Sequence, residues 1–286
     1  MSKKIISMAK NILNPGSALG EAIGVYMEVA LNKYLTEILE DLTCHLISKG
    51  GTNQKTGREK KLLLYDKHGT GYNIDAVITD EEMKPLILVE YKYIRYKKHN
   101  RDKGSWVCTA HSAVRRRYTS IRSSIAILAG NWSKTSLTML VSHDINIFLI
   151  PFDRITELLA KHGIVFDWDE KDRETAVNSW GTYDTLSEAD RLAIAEEMIL
   201  IIKDDLKRAI LQTLDDTIMR EVKKIIIEIH TNLGEVLTFE FSEAEEAVRF
   251  LSDFGLDDIL NPDDAIAIFD GAPSEEDGER LTFEDE

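Results

Sequence analysis

Residues 87–98 read ILVEYKYIRYKK. The opening is aliphatic and β-branched without interruption, the composition of a strand buried on both faces. It then places a carboxylate and an ammonium two residues apart, Glu90 and Lys92, and turns basic at Arg95, Lys97 and Lys98. Strand side chains alternate between faces, so Glu90 and Lys92 share one. Charge at the end of such an apolar strand is costly unless it is paired, so its partners must come from neighbouring segments.

The segments on either side fix a fold class. Apolar residues Ile23, Met27, Ala30, Leu31, Tyr34, Leu35, Ile38 and Leu42 recur at three and four, which predicts a helix over 18–48. GGTNQKTG (50–57) is a loop. KLLLYDKH (61–68) and YNIDAVIT (72–79) form a predicted hairpin about Gly69–Gly71, and a turn at 80–85 leads into a third strand over 86–94. A basic loop (95–105), a helix over Trp106–Ala129, strands at SLTMLVS (136–142) and INIFLIP (145–151) and a helix over 152–163 complete the series. The expectation is an α/β (α+β) core over 1–167, with a central mixed sheet flanked by helices. A smaller C-terminal α+β region over 168–286 is expected to serve recognition or dimerisation. In it, DWDEKDRETAVNSWGTYDT reads as a linker, and a helix over 186–215 is opened by Ser187. A hairpin over 223–241 turns at Asn232–Gly234, and a helix over 242–255 carries a Ser242/Glu245 capping box. The acidic tail 274–286 is too poor in apolar residues to pack.

The chain has 286 residues, 43% of them hydrophobic, and a net charge of −15. The charge is segregated: twelve Lys or Arg stand against two acids between Lys84 and Lys134, and sixteen acids against two bases from Glu243 onward. A basic stretch in an acidic chain points to a local polyanion contact. No apolar run reaches the length of a membrane span, MSKKIISMAKNIL lacks the pattern of a signal peptide, and Cys44 and Cys108 have no metal spacing. A cytoplasmic protein with reduced thiols is expected. Motifs for zinc proteases, serine hydrolases and P-loop NTPases are absent, and His111 and His143 read as structural or surface residues.

Asp75 lies across a short turn from Glu90, and two adjacent carboxylates repel unless a cation sits between them. Mg²⁺ suits carboxylate and carbonyl oxygens, with Mn²⁺ as an alternative. Lys92 can then hold a water ready to attack phosphorus. Asp75, fourteen intervening residues and then Glu90-Tyr91-Lys92 resemble the motif of the PD-(D/E)XK nuclease superfamily, with Ile74 where a proline is usual. Its core is a helix, three antiparallel strands, a helix and a further strand, an order that residues 18–150 follow. The resemblance implies a Mg²⁺-dependent DNA endonuclease, most like a type II restriction enzyme. It implies metal bound by Asp75, Glu90 and the Tyr91 carbonyl, and water positioned by Lys92. A further acid is expected on the first helix, where Glu28 lies at the edge of the apolar stripe and Glu21 is the second choice. Double-stranded DNA is the implied substrate, a homodimer the implied assembly and a methyltransferase a companion. Arg95, Lys97, Lys98, Arg115, Arg116 and Arg122 are the expected DNA contacts. Two alternatives stay open: a repair or structure-specific nuclease on the same fold, and a non-catalytic nucleic-acid or protein binding module.

Overall fold

The computed structural model describes residues 14–52, 60–95, 100–169 and 171–255. Lys97, Lys98 and the acidic tail lie outside them.

Helix α1 (Pro15–Leu39) starts with Pro in its first turn and Asn14 as N-cap, whose side chain accepts from Ser17 N at 3.0 Å. Strand β1 (His45–Ile47) follows, then the hairpin β2 (Leu62–Tyr65) and β3 (Gly71–Ile74), then β4 (Ala76–Thr79) and β5 (Pro85–Ile94). Helix α2 (Asn100–Arg115) crosses to β6 (Ser123–Gly130), and α3 (Lys134–Ser142) leads to β7 (Ile145–Pro151). Helices α4 (Phe152–Lys161), α5 (Arg173–Asp184) and α6 (Glu188–Leu214) complete the first compact unit, which ends at Leu214.

The chain is a mixed α/β fold around a five-stranded sheet of order β1-β4-β5-β6-β7. β1, β4 and β5 are antiparallel, and β5, β6 and β7 run parallel. β2 and β3 form a separate two-stranded sheet. Alternation sorts the central strands between two cores. Ile87, Val89, Ile125 and Ile127 face the layer of α1 and α6, where Leu19, Leu31 and Leu35 meet Met198, Ile202 and Leu206. Val77 and Leu88 face α2, packing with Ala110 and Val114. Gly130 closes β6 with φ of +98°, where a Cβ would collide with the Ile94 carbonyl oxygen, so only glycine serves.

Several sequence expectations are corrected. The first helix stops at Leu39, and the segment read as its last turns supplies the short strand β1. The second helix ends at Arg115 instead of Ala129. SSIAILAG, buried at all eight residues, is the parallel strand β6, because a short uncharged and mostly apolar run fits a buried strand as well as a helix. SLTMLVS is helical: Ser133 caps Ser136 N, and only Ser136, Leu137 and Leu140 are buried, a helical spacing. The expected linker contains α5, capped by Asp172 onto Thr175 N at 3.0 Å, and its Tyr183 is buried. The core therefore continues past residue 167, through α5 and α6, to Leu214. Ser187 does cap α6, accepting from Asp190 N at 3.1 Å.

The second unit begins at Asp215. Its hairpin β8 (Ile225–His230) and β9 (Val236–Phe241) packs one face on α7 (Ala244–Asp253), with Phe250 4.5 Å from Phe239 and 5.2 Å from Phe241 between ring centroids. The helix is capped at Glu243 with no side-chain bond, so the Ser242/Glu245 capping box does not form. Among the described residues, no helix is long and apolar enough to cross a membrane.

Candidate active site

β3 passes into β4 through a break at Asp75. Before it, Ile74 pairs with Leu62 of β2; after it, Ala76 pairs with Val89 of β5. β5 runs on beyond this pair for five residues, Glu90 to Ile94, and among the described strands these pair with β6 on its other side. A notch results beside the last half of β5, and Asp75, Glu90 and Lys92 meet in it.

Lys92 Nζ donates to Asp75 Oδ2 at 2.9 Å and also to Glu90 Oε1. Tyr91 N donates to Asp75 Oδ2 at 2.9 Å, and Asp75 N lies 3.4 Å from Glu90 Oε2. An extended residue sends its N–H and C=O to the same edge, so the Tyr91 carbonyl also points into the notch. Access falls from Asp75, 28% exposed, through Lys92, 17%, to Glu90, 2%, so the group is rooted in the core and opens outward at Asp75.

Burial and the Glu90 charge together raise the Asp75 carboxyl pKa above its ordinary range, against the pull of Lys92. Burial acts the same way on Glu90, but His111 and Lys92 outweigh it and hold that carboxyl below its usual range. Burial alone would lower Lys92, yet the two carboxylates keep its ammonium pKa raised. The two carboxyls are thus pushed apart, a pattern of acid–base sites.

Glu28 lies on α1 facing a cleft of about 350 Å³ lined also by Glu21, Gly24, Val25, Tyr91 and Lys92. Crowding at the wall and the Asp75 charge raise its carboxyl pKa, opposed by Lys92, Lys61 and Lys49. Both helix acids named from the sequence therefore reach the cleft, and Glu28 senses Asp75 and Lys92.

The basic residues divide. Arg95 is buried, its guanidinium 3.4 Å from the centroid of Trp168 and donating to Trp168 O at 3.3 Å, so it braces the core instead of facing a polyanion. Arg122 donates to Thr213 O at 3.2 Å, capping the end of α6. Its backbone sits level with Leu86, four residues before Glu90 and so about 13 Å along the strand. α2 runs back from the notch, so Arg115 and exposed Arg116 stand at its far end, beside Arg117, which donates to Asp66 O at 2.8 Å. The helix expected to carry Arg115, Arg116 and Arg122 ends at Arg115, so Arg116 and Arg122 lie beyond it.

Two neighbours of the notch were not recognised in the sequence as site residues. Lys103, in the first turn of α2, donates to Tyr93 O at 3.1 Å, and burial and Lys92 lower its pKa. His111 Nε2 lies 3.7 Å from Glu90 Oε2, with both side chains buried. The signal for His111 was its place on the buried stripe Val107, Ala110, Val114 of the helix.

Among the described residues, no three His, Cys, Asp or Glu side chains form a preformed metal cage. No protein-family model matches the chain, and no curated protein matches it. One solved structure is similar, that of a protein of unknown function designated AF1548. It matches at 10% identity and a TM-score of 0.30, over 63% of this chain and 98% of that one. A likeness that weak carries no argument about this chain.

Proposed function

We propose that this chain is a divalent-metal-dependent nuclease of the PD-(D/E)XK type, hydrolysing DNA phosphodiester bonds as a restriction endonuclease does. One observation carries the reading: the carboxylates of Asp75 and Glu90 converge on a single cation position, filled here by the Lys92 ammonium, in a notch that opens onto the Glu28 cleft. The strand and helix order around it, α1, three antiparallel strands, α2 and a parallel strand, supports the same reading.

The donor set fits Mg²⁺ or Mn²⁺. It is all oxygen, two carboxylates and the Tyr91 carbonyl, and Mg²⁺ is commonly held by one or two carboxylates completed by water and substrate phosphate. A bound cation would supply Lewis acidity at the phosphate and acidify a water. The chain's own groups do the rest. A raised pKa keeps Lys92 an ammonium at neutral pH, so it is a donor and not a base. From the notch it holds the attacking water and stabilises charge growing on the phosphoryl oxygens. As the water oxygen bonds to phosphorus and the ester P–O bond breaks, the departing alkoxide takes a proton from solvent, and the attacking water's proton needs an acceptor. Glu28, its carboxyl pKa raised, is the group best matched to receive it.

The test is incubation of the protein with supercoiled plasmid and phage DNA, with and without Mg²⁺ or Mn²⁺. Cation-dependent cleavage is expected, abolished in Lys92→Gln; discrete bands would mark sequence-specific cutting. An inert wild-type protein on duplex and single-stranded DNA with either cation would overturn the reading.

A further inference from the structure

His111 is 1% exposed and faces the sheet from α2. Among the described residues neither ring nitrogen has a hydrogen-bond partner within ordinary distance, and Nε2 lies 3.7 Å from Glu90 Oε2. Burying a polar group without a hydrogen bond carries a desolvation penalty. The other buried residues on this side of the sheet, Ile74, Val77, Leu88, Ala110 and Val114, are apolar. The imidazole therefore stands in the core with Glu90 as its polar neighbour and no hydrogen bond of ordinary length. Departures of that kind concentrate at functional sites.

The two oxygens of Glu90 are addressed from opposite sides. Oε1 accepts from Lys92, while Oε2 faces Asp75 N and the ring of His111. We infer that His111 is a positioning residue: in the tautomer protonated at Nε2 it pins Oε2 from within the core, so that Oε1 stays aimed into the notch when Lys92 moves off it. Without His111 the carboxylate keeps one weak backbone donor on that oxygen and can turn. The inference rests on the metal-nuclease reading, with His111 standing behind a carboxylate ligand. Partners of that type, when removed, weaken metal affinity or activity about 10- to 100-fold.

The experiment compares wild type with His111→Leu, which keeps bulk without a donor, and His111→Gln, which keeps an N–H donor. Mn²⁺ binding is measured without DNA, by calorimetry and by electron paramagnetic resonance. The metal concentration for half-maximal plasmid cleavage is measured beside it. For His111→Leu, Mn²⁺ affinity should fall and metal requirement rise, each by about 10- to 100-fold. The KM for DNA at saturating metal should not move, and His111→Gln should recover most of the loss. Should the Leu variant fail to fold, His111→Met takes its place against Gln. Wild-type Mn²⁺ affinity in the Leu variant would overturn the inference while leaving the nuclease reading intact. Equal losses in Leu and Gln would also overturn it, since the effect would then follow shape and not the donor. A wild-type protein that binds no Mn²⁺ would remove both.

Discussion

Strands β5 and β6 lie side by side, parallel and in register, with Glu90 level with Ala126 and Lys92 level with Leu128. β6 is buried at every residue and carries no charge. β5 carries a carboxylate and an ammonium at the same height, the carboxylate just as deeply buried. Their neighbours make the difference. β6 is hydrogen-bonded on both sides almost throughout, to β5 and to β7, so its backbone donors are taken and no charged side chain is accommodated. β5 loses β4 at Val89, and the freed Tyr91 N–H becomes a partner for Asp75. Buried charge is tolerated here because the ladder ends, leaving backbone donors and the tip of a neighbouring strand to satisfy it.

The largest effect should come from making the two strands alike. Ala126→Glu places a carboxylate on β6 at the level of Glu90, with no free donor and a like charge beside it. We expect a loss of about 4 kcal/mol or more, since an uncompensated buried charge costs that much. Urea denaturation followed by circular dichroism would measure it. A loss under 1 kcal/mol would mean that the interior beside Glu90 is wet, and the contrast between the strands would fall. Next in size is Lys92→Ala, which leaves Glu90 and Asp75 facing each other without their ammonium. A loss of about 3 kcal/mol is expected. Mg²⁺ or Ca²⁺ should restore more stability to this variant than it adds to wild type, because the carboxylates then lack any other cation. Equal stabilisation of the two proteins would mean that cations do not enter between Asp75 and Glu90.

The same contrast explains what was legible in the sequence. Asp75, Glu90 and Lys92 could be brought together because two short strands across a turn leave few registers and alternation fixes the faces. The exit of Asp75 from both ladders left no mark in YNIDAVIT, which reads as one strand although β3 and β4 belong to different sheets. β6 was hidden for the reason it is stable: SSIAILAG has no polar face, so its period identifies neither helix nor strand. That one misassignment carried Arg122 to the wrong place, and starting α2 late left Lys103 in a loop, while His111 was read as structural or surface. Arg95 shows a limit of another kind. Its charge suggested a polyanion, but its partners Phe166 and Trp168 are some seventy residues away and meet it only in the fold.

The smallest stability change should come from the two carboxylates themselves, and it should have opposite signs. The folded-state pKa of Asp75 is raised, so the fold disfavours its ionised form at neutral pH. That deficit disappears as pH falls through the raised value and the folded carboxyl takes up its proton. Asp75→Asn, which keeps an oxygen for Tyr91 N, should therefore be as stable as wild type at neutral pH or more so, by under about 1 kcal/mol. Its advantage should shrink on acidification. The folded-state pKa of Glu90 is lowered, so its ionised form contributes stability at neutral pH that is lost as pH falls through that lowered value. Glu90→Gln should be less stable than wild type at neutral pH, with the gap closing in acid. Denaturant titrations of the three proteins across the acidic range would measure both trends. Both variants should lose cation-dependent cleavage whatever their stability. If the two stability differences share a sign at neutral pH, the carboxyls are not pushed apart, and the division of roles between an outer Asp75 and a core-held Glu90 fails.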